Sequence, residues 1–461
     1  MILLSSLQNI YITIRMRKLL SSIILLLLAQ SVSAQSVDER IGSAMNRSDW
    51  FALDSIYREA SKDSISPFLE VFSRCLIGNR LNRPEVSIPA FEELLNTQSE
   101  SLDLGNLFSS AWMFAMDLSR VGENEKAANV LSSVLEATRS YLDSASVASL
   151  QHFVGQYRAL AAYKPYSISF EGEGKGEGVV PFRIDPVGKE GKGSVLMHLE
   201  SSTINGIPAE ITFDTGAGVN VMADSLAEKY GLVPLDAEGS MTGYGETGSR
   251  YALAKELKIG NITVRDVPFH IIHLTTNNAE ADQYVSAFNI VVGSELMLQL
   301  KDVTLDFVNK RIIVPREAPV RTQVSPNLCF SSGMNLLAKG VIHGNPMLMR
   351  VDSGDAGYGS LNDRFFKRNE DFITSVAQLD TIRGAGVGGV RTSHYYNVPN
   401  MALQLGGHEV FVPELGVLID NQMSGMDSDN GPECNLGLRS LMLFDKVRFN
   451  LVDFVLTTAR D

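Results

Sequence analysis

Two short segments of this chain are near copies of each other, and each contains an aspartate followed by a hydroxyl residue and a glycine. The segments are residues 205–216 and 343–354, which align without a gap. In both, a glycine-containing turn precedes a short apolar run, the pattern of a hairpin strand. The repeat predicts two similar β units, and it predicts a symmetric pair of carboxylates, Asp214 and Asp352.

The two repeated units also end alike. An apolar pair followed by glycine closes each unit, at Gly293 in the first and Gly437 in the second, and a β-branched run begins ten residues later in both. Short apolar runs broken by Gly, Pro, Asn and Asp are typical of β structure. Agreement at both ends predicts two β units of the same plan, joined by the proline-containing stretch 315–326.

Length and composition set the domain organisation. A chain of 461 residues is too long for one compact domain, and its net charge of −13 argues against a nucleic-acid binder. From about residue 38 to 163, Pro and Gly are sparse and apolar residues recur at spacings of three and four, which predicts helices. We therefore expect a signal peptide (1–34), an α-helical domain (35–163), a first β half (164–320) and a second β half (321–461).

The N-terminus has the pattern of an export signal. Basic residues at 15–18 precede the apolar run 19–28 and the small-residue cleavage site 32–34. The pattern predicts an exported protein that is periplasmic or extracellular, with no membrane span once the signal is removed. An uncleaved anchor is the alternative. Met16 is a candidate start, because a basic residue follows it directly.

The helical segment has two interpretations. Residues 122–128 resemble the helical hairpin of tetratricopeptide-like proteins, although no fixed repeat period is clear. One interpretation is a scaffold that binds a protein partner, and the other is a prodomain or support domain.

From about residue 193 to the C-terminus, the chain resembles the retropepsin/pepsin clan of aspartic proteases, whose bacterial members include exported, single-chain, two-lobed proteins. The matching motifs are 213–217 with 292–293, and 351–354 with 436–437. The resemblance implies a mainly β fold with two retropepsin-like β-barrel lobes, here behind an N-terminal α-helical domain. It implies that each late apolar-Gly segment lies against its Asp loop, and that the site is supported by Thr215, Gly216, Ser353 and Gly354.

The residue types suit acid–base chemistry on water. Two carboxylates held close cannot both ionise, because like charges at short range raise one pKa. One carboxyl then accepts a proton and the other donates one, as in aspartic proteases. We therefore expect an aspartic endopeptidase (a hydrolase acting in proteolysis) with Asp214 and Asp352 as catalytic residues, no cofactor and no metal.

A glycine-rich hairpin between the aspartate and the late glycine of each half is expected to cover the cleft. Such tips are mobile and can close on a peptide bound in extended form as an added strand. Tyr244 is either a substrate contact or an exposed turn residue. The expected tip residues are Gly243, Tyr244 and Gly245 in the first half, and Gly384 and Gly386 in the second.

Two positions depart from the clan's pattern. Ala217 lacks the hydroxyl that often follows the first motif, which is expected to raise the pKa of the aspartate pair. Asp355 follows the second motif, and it either points at the pair and raises the pKa of the pair further, or points to solvent or caps a turn without effect. The alternative function is therefore a catalytically weak or inactive two-lobed peptide-binding protein.

Other patterns in the sequence give weaker evidence for a functional or structural site. Gly384–Gly389 has the letters of a dinucleotide fingerprint, but a strand follows it where a helix is required. His270 and His273 lie at odd spacing in a predicted strand, so they do not form a metal pair. The chain has three cysteines, Cys75, Cys329 and Cys434. Either Cys329 and Cys434 form a disulfide, or all three are unpaired buried thiols.

Overall fold

The structure is a computed structural model that describes residues 35–172, 176–187, 193–242, 246–276, 278–331, 333–386, 389–420 and 431–460. The predicted signal peptide, 1–34, lies outside the described residues. The chain divides into a helical unit that ends at Ala162 and a β unit that begins at Tyr163. The prediction of an N-terminal helical region followed by β structure is confirmed. No helix in the described ranges is long and apolar enough to cross a membrane.

Seven α-helices follow one another in the described part of the helical unit. Their first turns carry strong start signals: Ser36 and Glu39 form a reciprocal capping box, and Pro67 and Pro84 occupy first turns, where no backbone N–H is needed. The helices are α1 Val37–Asn46, α2 Trp50–Glu59, α3 Pro67–Arg80, α4 Pro84–Thr97, α5 Leu104–Arg120, α6 Asn124–Thr138 and α7 Ser144–Ala161, with short 3-10 turns at Lys62–Ser64, Ser99–Ser101 and Arg139–Tyr141.

A buried polar cluster joins three of these helices. Asp117 on α5 accepts hydrogen bonds from Asn79 on α3 (3.0 Å) and Ser87 on α4 (2.6 Å), and it pairs with Arg120 (3.0 Å). Helices α3 and α4 approach closely because Gly78 has no side chain; a Cβ there would collide with Ser87. The cluster supplies partners for polar groups that would otherwise be buried unpaired.

The β unit contains two sheets and five α-helices in its described residues. Fifteen strands form the first sheet and eight form the second. The strands are β1 Ser167–Phe170, β2 Gly178–Pro186, β3 Val195–Leu199, β4 Thr203–Ile204, β5 Ile207–Pro208, β6 Ile211–Phe213, β7 Val221–Ala223, β8 Val233–Thr242, β9 Glu246–Ile259, β10 Ile262–Ile272, β11 Ile290–Val292, β12 Asp302–Asp306, β13 Arg311–Val314, β14 Leu328–Phe330, β15 Leu336–Ile342, β16 Asn345–Asp352, β17 Gly359–Leu361, β18 Leu379–Gly386, β19 Gly389–Leu405, β20 His408–Leu418, β21 Cys434–Gly437, β22 Lys446–Asn450 and β23 Val455–Ala459.

The first sheet crosses the boundary between the halves, whereas all strands of the second sheet belong to the second half. The first sheet runs β23-β22-β12-β13-β2-β3-β6-β11-β7-β10-β9-β4-β5, with β1 on β10 and β8 on β9. The second runs β14-β15-β16-β21-β17-β20-β19-β18, with β15 also paired to β19. The helices of the unit are α8 Asp224–Ala227, α9 Ala279–Val285, α10 Ser294–Leu300, α11 Asp363–Val376 and α12 Leu438–Leu441, with a 3-10 turn at Ser286–Phe288.

The two halves are joined by an antiparallel pair of equivalent strands. Strand β12 pairs with β22, and Thr304 lies opposite Arg448. Each of these residues is eleven positions after the late glycine of its half. Equivalent residues that face each other are the mark of a two-fold, self-complementary contact. The repeat seen in the sequence is therefore expressed as a local two-fold relation between the halves.

One hydrophobic core runs through both halves. It is continuous from Tyr166 to Leu456 and includes the large buried rings of Phe213, Phe269 and Phe449. All three cysteines are buried and free, so the disulfide considered from the sequence is absent among them. The free energy of folding of this unit therefore comes from apolar burial and from hydrogen bonds between strands, not from a disulfide bond among these cysteines.

Candidate active site

Each aspartate follows a tight two-residue hairpin turn. Asn205-Gly206 joins β4 to β5, and His343-Gly344 joins β15 to β16. All four turn residues have positive φ, from 46° to 79°. Positive φ at both central positions belongs to the turn type whose twist matches that of the flanking strands. The turn fixes the register of the chain that leads to Asp214 or Asp352.

Each aspartate loop is held by the late segment of its own half. Strand β11 lies parallel to β6, and β21 lies parallel to β16. A Cβ on Gly293 would collide with the carbonyl oxygen of Ala217, and a Cβ on Gly437 would collide with that of Gly357. The late glycines are therefore required by close backbone approach, which explains why both halves carry one.

Hydroxyl groups cross the junction between the two loops. The amide of Thr215 donates to Ser353 Oγ at 2.9 Å, and the amide of Ser353 donates to Thr215 Oγ1 at 3.0 Å. In turn, Thr215 Oγ1 donates to the carbonyl of Val351 at 2.9 Å, and Ser353 Oγ donates to that of Phe213 at 2.8 Å. Both side chains are buried. Four reciprocal bonds thus fix the two loops against each other.

The structure places the Asp214 and Asp352 carboxyl groups side by side. A Cβ on Gly216 would collide with the carboxyl of Asp352, and a Cβ on Gly354 would collide with that of Asp214. The amide of Gly354 donates to Asp352 Oδ1 and to Asp214 Oδ1, both at 3.1 Å. Asp214 Oδ1 also accepts from Gly216 at 2.8 Å. One amide therefore contacts both carboxyl groups.

The environment of the pair favours retention of a proton. Burial raises the pKa of Asp214 to about 7, and the neighbouring Asp352 carboxyl raises it as well. The positive charge of Arg350 and the amide of Gly216 act in the opposite direction. A pair that retains one proton near neutral pH has a group that can donate and a group that can accept, which is what acid–base activation of water requires.

Asp355 caps a turn and is half-buried. Its Oδ1 accepts from the Gly357 amide at 3.0 Å, and its Oδ2 accepts from Asn435 Nδ2 at 2.8 Å. Burial raises the pKa of Asp355 to about 6, and the charge of Asp352 contributes. Of the two orientations that the sequence left open, the structure has the turn cap. The cap does not isolate Asp355, however, because the pKa of this carboxyl still responds to Asp352.

Sequence reasoning missed Arg350. Its Nη2 donates to the carbonyl of Gly216 in the opposite half at 2.7 Å and lies 3.5 Å from Asp352 Oδ2. The signal was available, since Arg350 is the only charged residue between 345 and 351 and lies two residues before Asp352. In a strand, that spacing puts the two side chains on the same face.

A buried network behind the first loop was also missed. Asn220 Nδ2 donates to the hydroxyl of Tyr166 at 2.9 Å, and the amide of Gly293 donates to Asn220 Oδ1 at 3.1 Å. Glu295 hydrogen-bonds Tyr166, and burial raises the pKa of Glu295 to about 7. Tyr166 precedes the first repeat by almost forty residues, so spacing alone could not connect it to the loop.

The predicted hairpins are partly described. Strands β8 and β9 pair up to Thr242 and Glu246, but the tip residues Gly243, Tyr244 and Gly245 lie outside the described residues. In the second half, Gly384 and Gly386 lie near the end of β18, which pairs with β19. Strand β18 is the edge of the second sheet, and α9 of the first half contacts it.

Comparison with known proteins identifies part of this region. Residues 201–287 match the family model described as aspartyl protease. The matched segment contains the first loop, with Asp214, and the first hairpin; Asp352 lies beyond it. No curated protein matches the chain. The match supports an aspartyl protease family for this segment and, with it, protease activity.

Proposed function

We propose that this chain is an exported aspartic endopeptidase that hydrolyses peptide bonds with a water molecule activated between Asp214 and Asp352. The observation that carries the proposal is the contact of each loop glycine with the carboxyl group of the opposite half. That contact brings two acids from distant parts of the chain into one buried site. The aspartyl protease match over residues 201–287 supports the same reaction class.

The chemistry follows from a pair with one proton. The ionised carboxyl removes a proton from water as the water oxygen bonds to the peptide carbon, and the protonated carboxyl donates its proton to the carbonyl oxygen. A proton then passes to the peptide nitrogen as the C–N bond breaks, which releases an acid and an amine. Because the pair titrates as a unit, neither role is assigned to one residue.

In this proposal the two β halves are retropepsin-like lobes. The pairing of Thr304 with Arg448, equivalent positions of the repeat, supports a two-fold arrangement of the lobes. Thr215 and Ser353 hold the loops rigid, and Gly216 and Gly354 let the carboxyl groups approach. Rigid support of this kind keeps reacting groups in place.

The proposed substrate is a peptide or protein segment in extended conformation. Strand β18 supports this, because it is a sheet edge whose residues 379–383 are all exposed. An edge strand offers backbone groups to which an added strand can bind. The hairpin tips at Gly243–Gly245 and at Gly384 and Gly386 are the proposed contacts on either side, with Tyr244 as a candidate side-chain contact.

The proposal includes export and a separate role for the helical unit. Residues 15–34 carry the signal pattern that supports a periplasmic or extracellular location. The helical unit has its own buried core and polar cluster, and the tetratricopeptide-like pattern at residues 122–128 is the ground for proposing that it binds a protein partner.

The test is cleavage of a mixed peptide library by the full chain between about pH 4 and pH 8. We expect Asp214→Asn and Asp352→Asn each to lower kcat/KM by about 10³-fold or more, because each removes one half of the acid–base pair. Asp371→Asn, on an exposed position of α11, is the matched control and should retain activity.

Two outcomes contradict the proposal. Full activity in either aspartate variant would exclude the two-carboxyl mechanism. Absence of cleavage by the folded wild-type chain at every pH, together with measurable binding of the same peptides by calorimetry, would favour the peptide-binding alternative.

A further inference from the structure

Arg350 breaks the two-fold symmetry of the aspartate site. The equivalent residue of the first half is Thr212, also two residues before its aspartate, and its hydroxyl donates to the carbonyl of Ala287 within the same half at 2.8 Å. Arg350 instead reaches across the junction to the carbonyl of Gly216. Only 18% of its side chain is exposed. The second half therefore supplies a cation to a site where the first half supplies a hydroxyl.

We propose that Arg350 is a positioning residue of the aspartate pair, which fixes the first loop through the Gly216 carbonyl and holds the pair in its singly ionised form through its positive charge. This inference rests on the proposed function, because it names a residue that tunes the same site. It goes beyond that function in assigning a role to a side chain outside the repeated motif.

The charges around the pair explain why a cation is needed. Asp214 and Asp352 face each other, and Asp355 lies in the same loop as Asp352. Three carboxyl groups in a buried site oppose one another's ionisation. Arg350 acts against this effect at two of them, since its charge lowers the pKa of Asp214 and of Asp355. Without the positive charge of Arg350, both carboxyl groups of the pair would keep their protons up to a higher pH.

The contacts of Arg350 favour an electrostatic role over a packing role. Its Nη2 lies 2.7 Å from the Gly216 oxygen and 3.5 Å from Asp352 Oδ2. Its Nε is buried and has no hydrogen-bond partner among the described residues. A buried, unpaired donor destabilises a fold. An apolar side chain at position 350 would avoid this destabilisation. The presence of an arginine despite that cost is consistent with a role for its positive charge.

Two variants separate the charge from the hydrogen bond. Arg350→Lys keeps the positive charge but loses the planar fork, whereas Arg350→Gln keeps an N–H donor and loses the charge. We expect the acidic limb of kcat/KM against pH to stay near the wild-type position in Arg350→Lys. In Arg350→Gln it should move upward by about one pH unit, with kcat/KM on that limb about tenfold lower.

A direct titration makes the test independent of catalysis. The carboxyl ¹³C shifts of the aspartates are followed against pH by NMR, with Asp214→Asn to assign the pair. Arg448→Gln is the matched control: Arg448 also lies on a strand and joins the halves, but its hydrogen bonds go to Asp302, with Nη2 at 2.6 Å. Thermal unfolding checks that each variant is folded.

The expected result is an upward shift of the pair's titration in Arg350→Gln alone. Equal titration in Arg350→Gln and the wild type would overturn the proposal, and so would a shift of that size in Arg350→Lys. If the Gln variant does not fold, Arg350→Met removes the same charge and takes its place, and an unshifted titration in that variant overturns the proposal. If the wild type cleaves no peptide, the proposed function fails, whereas the titration still reports on Arg350.

Discussion

The two aspartate loops have one backbone design and different side-chain chemistry. Three residues after the aspartate, the first half has Ala217 and the second has Asp355; six residues after it, the first has Asn220 and the second has Tyr358. The backbone contacts that hold the loops are matched, whereas the charges are not. The two halves are thus alike in the contacts that bring the loops together, and they differ in the side chains that change the charge of the site.

The same contrast appears two residues after each late glycine. In the first half, Glu295 hydrogen-bonds the buried Tyr166. In the second, Arg439 lies over the ring of Tyr358 at 4.1 Å and donates to its hydroxyl at 3.0 Å. A half-buried acid therefore supports the first loop, and a half-buried cation supports the second. The comparison shows that two similar halves can carry opposite charges at equivalent positions.

The cross-junction hydroxyl bonds should give the largest effect on stability. Thr215→Val and Ser353→Ala each remove two bonds and leave a buried amide unpaired, so each should lower the free energy of unfolding by roughly 2–4 kcal/mol. Because the two residues share one network, the double variant should lose less than the sum of the two. Urea unfolding measures all three. A large loss in one variant and none in the other would show that the junction is not symmetric.

The half-buried Glu295 of the first half should give the next largest effect on stability. The pKa of Glu295 is raised to about 7, so its contribution to stability is complete below its unfolded pKa and is lost as pH rises through about 7. We expect Glu295→Gln to be roughly 1–3 kcal/mol more stable than the wild type at pH 8, with little difference at pH 5.

The equivalent cation provides the control for Glu295. Because guanidinium groups keep their charge throughout this pH range, Arg439→Gln should change the free energy of unfolding by a similar, small amount at pH 5 and at pH 8. Urea unfolding at the two pH values measures both variants. A pH-dependent difference for Arg439→Gln, or its absence for Glu295→Gln, would contradict the assignment.

The smallest expected effect comes from exchanging the charge three residues after the aspartate. Asp355→Asn keeps an acceptor for Gly357 but removes a negative charge that is present above about pH 6, since the pKa of Asp355 is raised to about 6. The alkaline limb of kcat/KM, where the pair loses its last proton near pH 7, should then move downward by less than about one pH unit. Ala217→Asp, which adds the carboxyl to the first half, should move it upward. If this limb moved in the same direction in Asp355→Asn and in Ala217→Asp, the electrostatic comparison would be refuted.

Much of the site could be predicted because its determinants are local and occur twice. The turn, the apolar strand, the aspartate, the hydroxyl residue and the late glycine are each fixed by short-range rules of turn chemistry and close approach. Asp355 was noticed for the same reason, as a break in the repeat. Its orientation could not be predicted, because Asn435, its partner, lies eighty residues away in the chain.

Sequence patterns were enough to predict the helical N-terminal region, the β structure that follows it and a pair of aspartates, Asp214 and Asp352, in equivalent loops. The tertiary structure decided what surrounds that pair. The spacing of Arg350 and Asp352 along one strand indicates that their side chains share a face. Only the packing of one half on the other brings the Gly216 carbonyl to Arg350 and the Asp214 loop to Asp352. Charge acts through space and over distances set by the fold, so the electrostatics of the site could not be derived from the order of residues.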